Sequence, residues 1–300
     1  MRTASSHETT PRHHMLRVLP VLAAGVLLAM LLPAATAAGA SGPSYVSLGD
    51  SYTSGPLIPH QTGVPAGCLR STHNYPSLVA AALGAVSFSD VSCAAATTAN
   101  MTAPQQVTPG VNPPQLNALS ASTTLVTLGI SGNDLGFANV IISCTKLSLS
   151  SPLGSPCKSH YTAGGTDQLA QLITMIGPKV AAVLAAVRQR APQARVLLVG
   201  YPDILPNTGQ GCWPVVPIAH GDMPYLRGVE ARLNAMLAAE AAASNATFVD
   251  TYSDSVGHDF CEATGVKWVE GLVPTSPAAP VHPNALGEKA MAQQVPAAVG

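Results

Sequence analysis

Three short segments place side chains suited to acyl-transfer chemistry directly beside predicted strands and helices. Ser51 follows the β-prone run 45–48, and Asn133 follows the similar run 124–128. His282 lies in a Pro-rich loop ahead of a helix-like C-terminal segment. A serine hydroxyl becomes a nucleophile when a neighbouring base takes its proton, and an amide can donate a hydrogen bond to the resulting oxyanion. These residue types therefore predict a serine-dependent acyl-transfer site.

Each of these residues also has an ordinary structural interpretation. Ser51 and Asp50 are types that cap a following helix, and Asn133 follows a glycine as many turn residues do. A histidine such as His282 is often no more than a surface residue, and His258 is its main rival as a base. All three types occur at the edges of predicted elements, which favours Ser51 as nucleophile, Asn133 as oxyanion donor and His282 as general base.

The segments that must position these side chains alternate between β-prone and helix-like. This alternation predicts an α/β domain with a central, mostly parallel sheet of about five strands, covered by helices on both faces. The site is then expected in loops beyond the carboxyl ends of the strands. Gly177-Pro178 interrupts the longest helical segment and predicts a kink there or two helices. The β-prone runs are 45–48, 86–91, 124–128, 195–201 and 246–250, and the helical segments are 74–83, 166–190, 225–243 and 285–299.

Two long segments, 143–165 and 206–224, read as loops rather than as core elements. Both contain cysteines, so we expect them to be pinned near the mouth of the site. Trp213 and the apolar residues after it have two interpretations, a wall for an acyl chain or an ordinary packed loop.

Composition excludes several classes of function. The 300 residues are 47% hydrophobic and only 10% charged, which suits one well-packed domain. Without residues 1–37 the chain has 11 basic and 14 acidic residues, a net charge of −3, so no nucleic-acid partner is expected. The sequence has no G-x-S-x-G elbow, P-loop, dinucleotide fingerprint or zinc-ligand spacing of its cysteines. We therefore expect neither a metal nor another cofactor.

The N-terminal segment predicts export. Arg12 and Arg17 precede an apolar run, 18–32, that ends in small residues typical of signal-peptidase sites. The run spans about 15 residues, which is short for a spanning helix, although an uncleaved membrane anchor is the alternative. We predict a signal peptide over residues 1–37, with cleavage as late as residue 40, and a single domain over 41–300. The mature protein would be secreted, either free or associated with the cell wall.

The three segments resemble sequence blocks of one known family. Gly49-Asp50-Ser51-Tyr52 resembles the GDS(L/Y) block of the GDSL, or SGNH, hydrolases. Gly132-Asn133-Asp134 resembles that family's GxND block, and His282 resembles the histidine of its last block. The blocks occur in the family's order, and the resemblance is closest to secreted actinobacterial lipases and esterases with three disulfides. It implies a flavodoxin-like three-layer α/β/α SGNH-hydrolase fold.

The resemblance also implies the remaining parts of the site. It gives Ser51 and His282 the catalytic roles, and Ser51, Ala95 and Asn133 the oxyanion hole. Ala95 stands where the family commonly has glycine, and its N–H remains a donor provided that the position does not need positive φ. Six cysteines allow 15 pairings, and the resemblance implies the sequential one. The implied disulfides are Cys68–Cys93, Cys144–Cys157 and Cys212–Cys261.

One family residue is missing, the aspartate three positions ahead of the histidine. Ala279 occupies that position, so we predict a Ser51–His282 dyad. The main-chain carbonyl of Ala279, or of a neighbour, would then orient the imidazole in place of a carboxylate. The rival hypothesis is that Asp259 or Glu270 reaches His282 through the fold.

The resemblance and the residues together imply a serine esterase or lipase, a carboxylic ester hydrolase that acts through an acyl-enzyme. The substrate would be a small-molecule or lipid ester, and we expect a monomer that contacts a lipid interface only transiently. Two alternatives keep the same machinery, a polysaccharide acetyl esterase and a phospholipase. A third, from another class, is a secreted binding module without catalysis.

Overall fold

The β-prone runs form the strands of one central sheet. The computed structural model describes residues 42–299, and the predicted signal peptide lies outside them. The strands are β1 (Ser44–Gly49), β2 (Ser87–Asp90), β3 (Gln105–Gln106), β4 (Val111–Asn112), β5 (Leu125–Gly129), β6 (Arg195–Val199) and β7 (Thr247–Val249). Five of them pair in parallel in the order β2-β1-β5-β6-β7, and β3 and β4 form a separate antiparallel ribbon.

The helices lie on both faces of this sheet. They are α1 (Ser51–Ser54), α2 (Tyr75–Ala82), α3 (Gly132–Leu135), α4 (Phe137–Ser148), α5 (Pro156–Tyr161), α6 (Gln168–Arg190), α7 (Met223–Ala243) and α8 (Ala285–Val299). α2 and α8 pack together on one face, whereas α6 and α7 pack together on the other. The predicted three-layer α/β/α fold with a five-stranded parallel sheet is therefore confirmed.

Burial on both faces explains the apolar character of the central strands. Alternate residues of one strand point to opposite layers, as in β1, where Tyr45 packs with α2 and α8 and Val46 packs in the core beneath α6 and α7. Every residue of β5 is buried. Strands buried in this way read as continuous apolar runs, which is the pattern seen in the sequence.

Two local expectations differ from the structure in part. α6 is one helix of 23 residues with Pro178 inside it, so of the two outcomes expected at Gly177-Pro178, a kink or two helices, the second is excluded. Gly177 explains part of this, because a Cβ there would lie 2.7 Å from Glu240 Oε1, so α6 packs closely on α7 across the proline. The segment 143–165 is not a loop throughout, since it contains the end of α4 and all of α5.

The six cysteines are joined in the sequential order that the family resemblance implies. The disulfides are Cys68–Cys93, Cys144–Cys157 and Cys212–Cys261. The second bond links α4 to α5, and the first fixes the loop that follows β2.

Candidate active site

A tight turn between β1 and α1 presents Ser51. β1 ends at Gly49, Asp50 is the N-cap of α1, and Ser51 is its first residue. The Asp50 side chain accepts a hydrogen bond from Tyr52 N at 2.9 Å. A Cβ on Gly49 would lie 2.2 Å from Thr53 Oγ1, so the close return of the chain requires glycine. In this turn Asp50 therefore caps α1, and Ser51 has the position that was predicted for a nucleophile.

His282 lies beside Ser51. Its Nε2 is 2.8 Å from Ser51 Oγ, and its Nδ1 is 2.7 Å from the carbonyl oxygen of Pro280. A carbonyl can only accept, so Nδ1 carries the proton and Nε2 is free to accept the serine proton. This is the tautomer that a general base needs.

The carbonyl that orients His282 is that of a neighbour of Ala279, as the prediction allowed, and the choice of Ala279 itself is corrected. The acceptor is the next residue, Pro280, while the Ala279 N–H donates to Pro56 O at 3.0 Å. Val281 has a φ of 59°, and this left-handed residue turns the chain between Pro280 and His282. The turn brings the Pro280 carbonyl to face the ring.

Neither rival carboxylate reaches the imidazole. Asp259 accepts from Cys261 N at 2.8 Å, and Glu270 accepts from Thr275 N and Asn284 Nδ2, each at 2.7 Å. Within residues 42–299, no carboxylate forms a hydrogen bond or an ion pair with His282.

His258, the rival base, lies in a different environment. Its ring stacks on Trp268 at 3.9 Å, and its Nδ1 is 2.6 Å from Val266 O. It does not line the cavity that Ser51 and His282 share.

The surroundings of His282 change its pKa. Burial lowers the pKa of His282 below its ordinary 6.5, because a charged imidazole is poorly solvated there, and the hydrogen bond to Pro280 partly offsets this. The ring is therefore neutral near pH 7, and neutral imidazole is the form that can accept a proton.

Two further segments supply hydrogen-bond donors near Ser51. Asn133 Nδ2 donates to Ala96 O at 2.9 Å, which leaves its second amide hydrogen available. Asp134 accepts from the Thr98 N–H at 2.9 Å and from the Thr98 hydroxyl at 2.6 Å, so α3 is tied to the loop that contains Ala95. In the part of the chain that the structure describes, the N–H groups of Ser51 and Ala95 donate no hydrogen bond.

Ala95 adopts the conformation that its family position favours for glycine. Its φ is 63°, in the left-handed region, so the condition on which its equivalence to glycine depended is not met. An alanine there carries a strain that glycine avoids. Ala95 is exposed and does not line the cavity beside Ser51.

An apolar cavity of about 260 Å³ lies beside Ser51, Asn133 and His282. Its walls come mainly from α4 and α7, and the loop residue Leu272 adds to them. Trp213 and the apolar residues after it do not line the cavity, so the acyl-wall interpretation of that loop is wrong. The apolar wall residues on α4 and α7 are Phe137, Ala138, Ile141, Ile142, Val229 and Leu233, and Glu230 on α7 also lines the cavity.

Comparisons with known proteins agree with this geometry. A family model described as GDSL-like Lipase/Acylhydrolase matches residues 47–290, which is most of the chain and includes all three blocks. The chain belongs to this family. It is a serine hydrolase of carboxylic esters.

Individual relatives of this GDSL hydrolase are similar along nearly their whole length. Lipase 2 of Streptomyces coelicolor is 43% identical over 292 residues, covering 94% of this chain and 97% of the relative. The crystal structure of phospholipase A1 from Streptomyces albidoflavus superimposes with a TM-score of 0.71 at 27% identity, covering 86% of this chain and 100% of that one. The extracellular lipase of Streptomyces rimosus gives a TM-score of 0.69 at 27% identity, covering 85% and 98%.

Two tyrosines of this GDSL hydrolase, not expected from the sequence, contact the site. Tyr201 follows β6, and its hydroxyl is 2.6 Å from Asp50 Oδ2 and 2.7 Å from Gly132 N. The Tyr52 hydroxyl donates to Val281 O at 2.6 Å. The position of Tyr201 at the end of a predicted β run is the available signal, but its partners come from other segments far away in the sequence. The α4 wall had a clearer signal, since its apolar residues follow helical spacing.

Proposed function

We propose that Ser51 and His282 form the catalytic dyad of this ester hydrolase. Ser51 Oγ attacks the ester carbonyl carbon while its proton passes to His282 Nε2. The oxyanion is bound by Asn133 Nδ2 and by the N–H of Ser51. The intermediate then breaks its bond to the alcohol oxygen, which takes the proton from His282, and a water molecule repeats the sequence to release the acid.

The 2.8 Å contact between Ser51 Oγ and His282 Nε2 is the observation that carries this proposal. Ser51→Ala should lose ester hydrolysis almost completely and keep the melting temperature of the wild type. A fluorophosphonate probe should form an adduct on Ser51, and His282→Gln should abolish that adduct. Labelling of any other serine, or turnover by Ser51→Ala near the wild-type rate, would refute the assignment.

We further propose that the preferred substrates carry an apolar acyl chain, which lies in the cavity between α4 and α7. The walls are almost entirely apolar, and burying such a chain releases roughly 0.8 kcal/mol for each CH₂ group. This favours a lipase or long-chain esterase over removal of acetyl groups from a polysaccharide. A phospholipid acyl ester fits the same cavity and is the second candidate.

A pair of neighbouring variants on α4 tests where the acyl chain lies. Ala138 lines the cavity and Asn139 does not, although both are exposed. Ala138→Phe should reduce kcat/KM for p-nitrophenyl palmitate by about tenfold or more and leave the acetate ester nearly unchanged. Asn139→Phe should affect neither. Equal losses on both esters would place the chain elsewhere. A phospholipid and acetylated xylan complete the panel.

Apolar side chains at the cavity support transient contact with a lipid interface. Ile142 lines the cavity and is 48% exposed, and Val273, beside the cavity residue Leu272, is 78% exposed. The double variant Ile142→Ser/Val273→Ser should lose activity on emulsified esters while keeping activity on soluble ones. Parallel losses on both substrates would contradict this contact.

We also propose that the protein is exported and monomeric. Three disulfides support export, because such bonds persist in oxidising compartments. N-terminal sequencing of protein from a culture medium should begin between residues 38 and 41, and light scattering should give the mass of one mature chain. Retention in the membrane fraction would support the anchor instead.

A further inference from the structure

A hydroxyl buried next to the site has a single arrangement of its hydrogen bonds when Asp50 is ionised. Tyr201 is 5% exposed, and its oxygen lies 2.7 Å from Gly132 N and 2.6 Å from Asp50 Oδ2. The Gly132 N–H can only donate, so the phenol oxygen must accept from it. The single proton of Tyr201 then goes to Asp50.

We propose that Tyr201 is a positioning residue that holds the oxyanion donor Asn133 in register with Ser51, an inference that rests on the proposed function. Gly132 directly precedes Asn133, so fixing the Gly132 N–H fixes the peptide plane from which Asn133 departs. Glycine allows the approach, because a Cβ at Gly132 would lie 3.1 Å from the Tyr201 oxygen.

The start of α3 needs such an anchor. Ser131, its N-cap, has a φ of 121°, a conformation that serine rarely adopts. Its side chain makes no capping hydrogen bond to the helix. Tyr201 follows β6, which pairs with β5. Its hydroxyl accepts from the Gly132 N–H and so constrains the start of α3 in place of a local cap.

Asp50 connects this anchor to the nucleophile. It directly precedes Ser51, and its two carboxylate oxygens accept separately from Tyr52 N and from the Tyr201 hydroxyl. Its own N–H donates to Gly129 O at 2.9 Å, at the end of β5. Asp50 thus joins the ends of β1, β5 and β6, through its main-chain N–H to β5 and through its carboxylate to Tyr201 after β6, and it fixes Ser51 and Asn133 relative to each other.

The direct test is Tyr201→Phe, with Tyr45→Phe as the matched control. Tyr45 is equally buried, and its hydroxyl bonds Thr127 in the core. Tyr201→Phe should lower kcat by about tenfold or more with KM within about twofold, because Asn133 acts only in the transition state. Tyr45→Phe should leave kcat within about twofold of the wild type. A Tyr201→Phe enzyme with wild-type kcat, or with a change in KM alone, would overturn the proposal.

The pH profile gives a second readout that a purely structural role would not move. Burial raises the pKa of Asp50 to about 7, and the hydrogen bond from Tyr201 lowers it. Removing that hydroxyl should raise the pKa of Asp50 further. Because the ionised carboxylate is the form that accepts from Tyr52 N and holds the turn of Ser51, the acid limb of kcat/KM should move to higher pH in Tyr201→Phe. The same limb in both enzymes would count against the proposal. The other titratable groups that face Asp50 or its cavity are Tyr52, Asp134, Glu230 and His282.

Two controls separate the possible failures. An inactive Ser51→Ala beside an unimpaired Tyr201→Phe would overturn the positioning role alone, whereas an active Ser51→Ala would overturn the catalytic assignment. If Tyr201→Phe does not fold, amide hydrogen exchange in the wild type replaces it. The Gly132 N–H should be strongly protected, and exchange at the rate of an exposed loop amide would overturn the proposal.

Discussion

The loop that carries His282 depends on one hydroxyl outside it, and Tyr52→Phe tests this dependence. Tyr52 donates to the carbonyl of Val281 at 2.6 Å, and Val281 is left-handed with a φ of 59°. A left-handed conformation costs a non-glycine residue roughly 1–2 kcal/mol, and an unpaired carbonyl costs about 1–3 kcal/mol. Without the hydrogen bond from the Tyr52 hydroxyl, Val281 should relax to a conformation with negative φ.

The expected effects follow from these magnitudes. A loss of about 2 kcal/mol lowers the melting temperature of a domain of this size by roughly 4–8 °C. Relaxation of the loop by about 1 Å would lower kcat by up to about 10²-fold, with KM little changed, because it moves His282 Nε2 away from Ser51. Steady-state kinetics on a soluble p-nitrophenyl ester and a thermal melt measure both effects.

Tyr225→Phe is the matched control for this variant. It also removes one partly buried hydroxyl, which donates a hydrogen bond of 2.9 Å to Asp167. Neither residue lines the cavity. It should lower the melting temperature without changing kcat. Full activity of Tyr52→Phe would refute the reasoning. The remaining bonds of the loop, from Val281 N to Gly271 O and from Glu270 N to His282 O, would then suffice.

Three further outcomes are expected. Ala95→Gly should raise the free energy of unfolding by about 0.5–1 kcal/mol, since the left-handed strain at Ala95 exceeds the added chain entropy of glycine. A denaturant titration measures this free energy, and a loss of stability would contradict the assigned strain. The imidazole of His282 should titrate below pH 6.5 by NMR, because burial disfavours its charged form, so the neutral base persists as the pH falls to that value. Ala279→Asp should keep wild-type kcat, because the Pro280 carbonyl already holds Nδ1; a large gain in kcat would show that the carbonyl orients the ring poorly.

Local patterns predicted the sheet and the residues that flank it. Every predicted β run became a strand of the central sheet, and the central strands β1 and β5 are apolar because they are buried between two helical layers. Ser51 and Asn133 lie beyond the carboxyl ends of two strands, as predicted, and these strands, β1 and β5, are adjacent. His282 was identified from its sequence block rather than from its place in the fold.

The missed features depend on contacts between distant segments. Propensity alone ends a helix near Gly177-Pro178, whereas packing against α7 carries α6 through it. The Pro280 carbonyl faces His282 because Val281 is left-handed, and nothing in a valine predicts that conformation. Tyr201 contributes to the site because β6 pairs with β5, and this pairing brings the Tyr201 hydroxyl to Gly132 and Asp50.

Ser51 and His282, the proposed nucleophile and base, are 231 residues apart in sequence. Closing so long a loop is entropically unfavourable, so the active site requires most of the native contacts to form first. The last helix, α8, docks on α2, where Glu288 Oε2 accepts from the Tyr75 N–H at 2.6 Å. Until that docking occurs, His282 has no fixed position and Ser51 is an ordinary alcohol. Hydrolytic activity in this enzyme is thus a late reporter of folding, and during refolding it should appear after helical structure has returned.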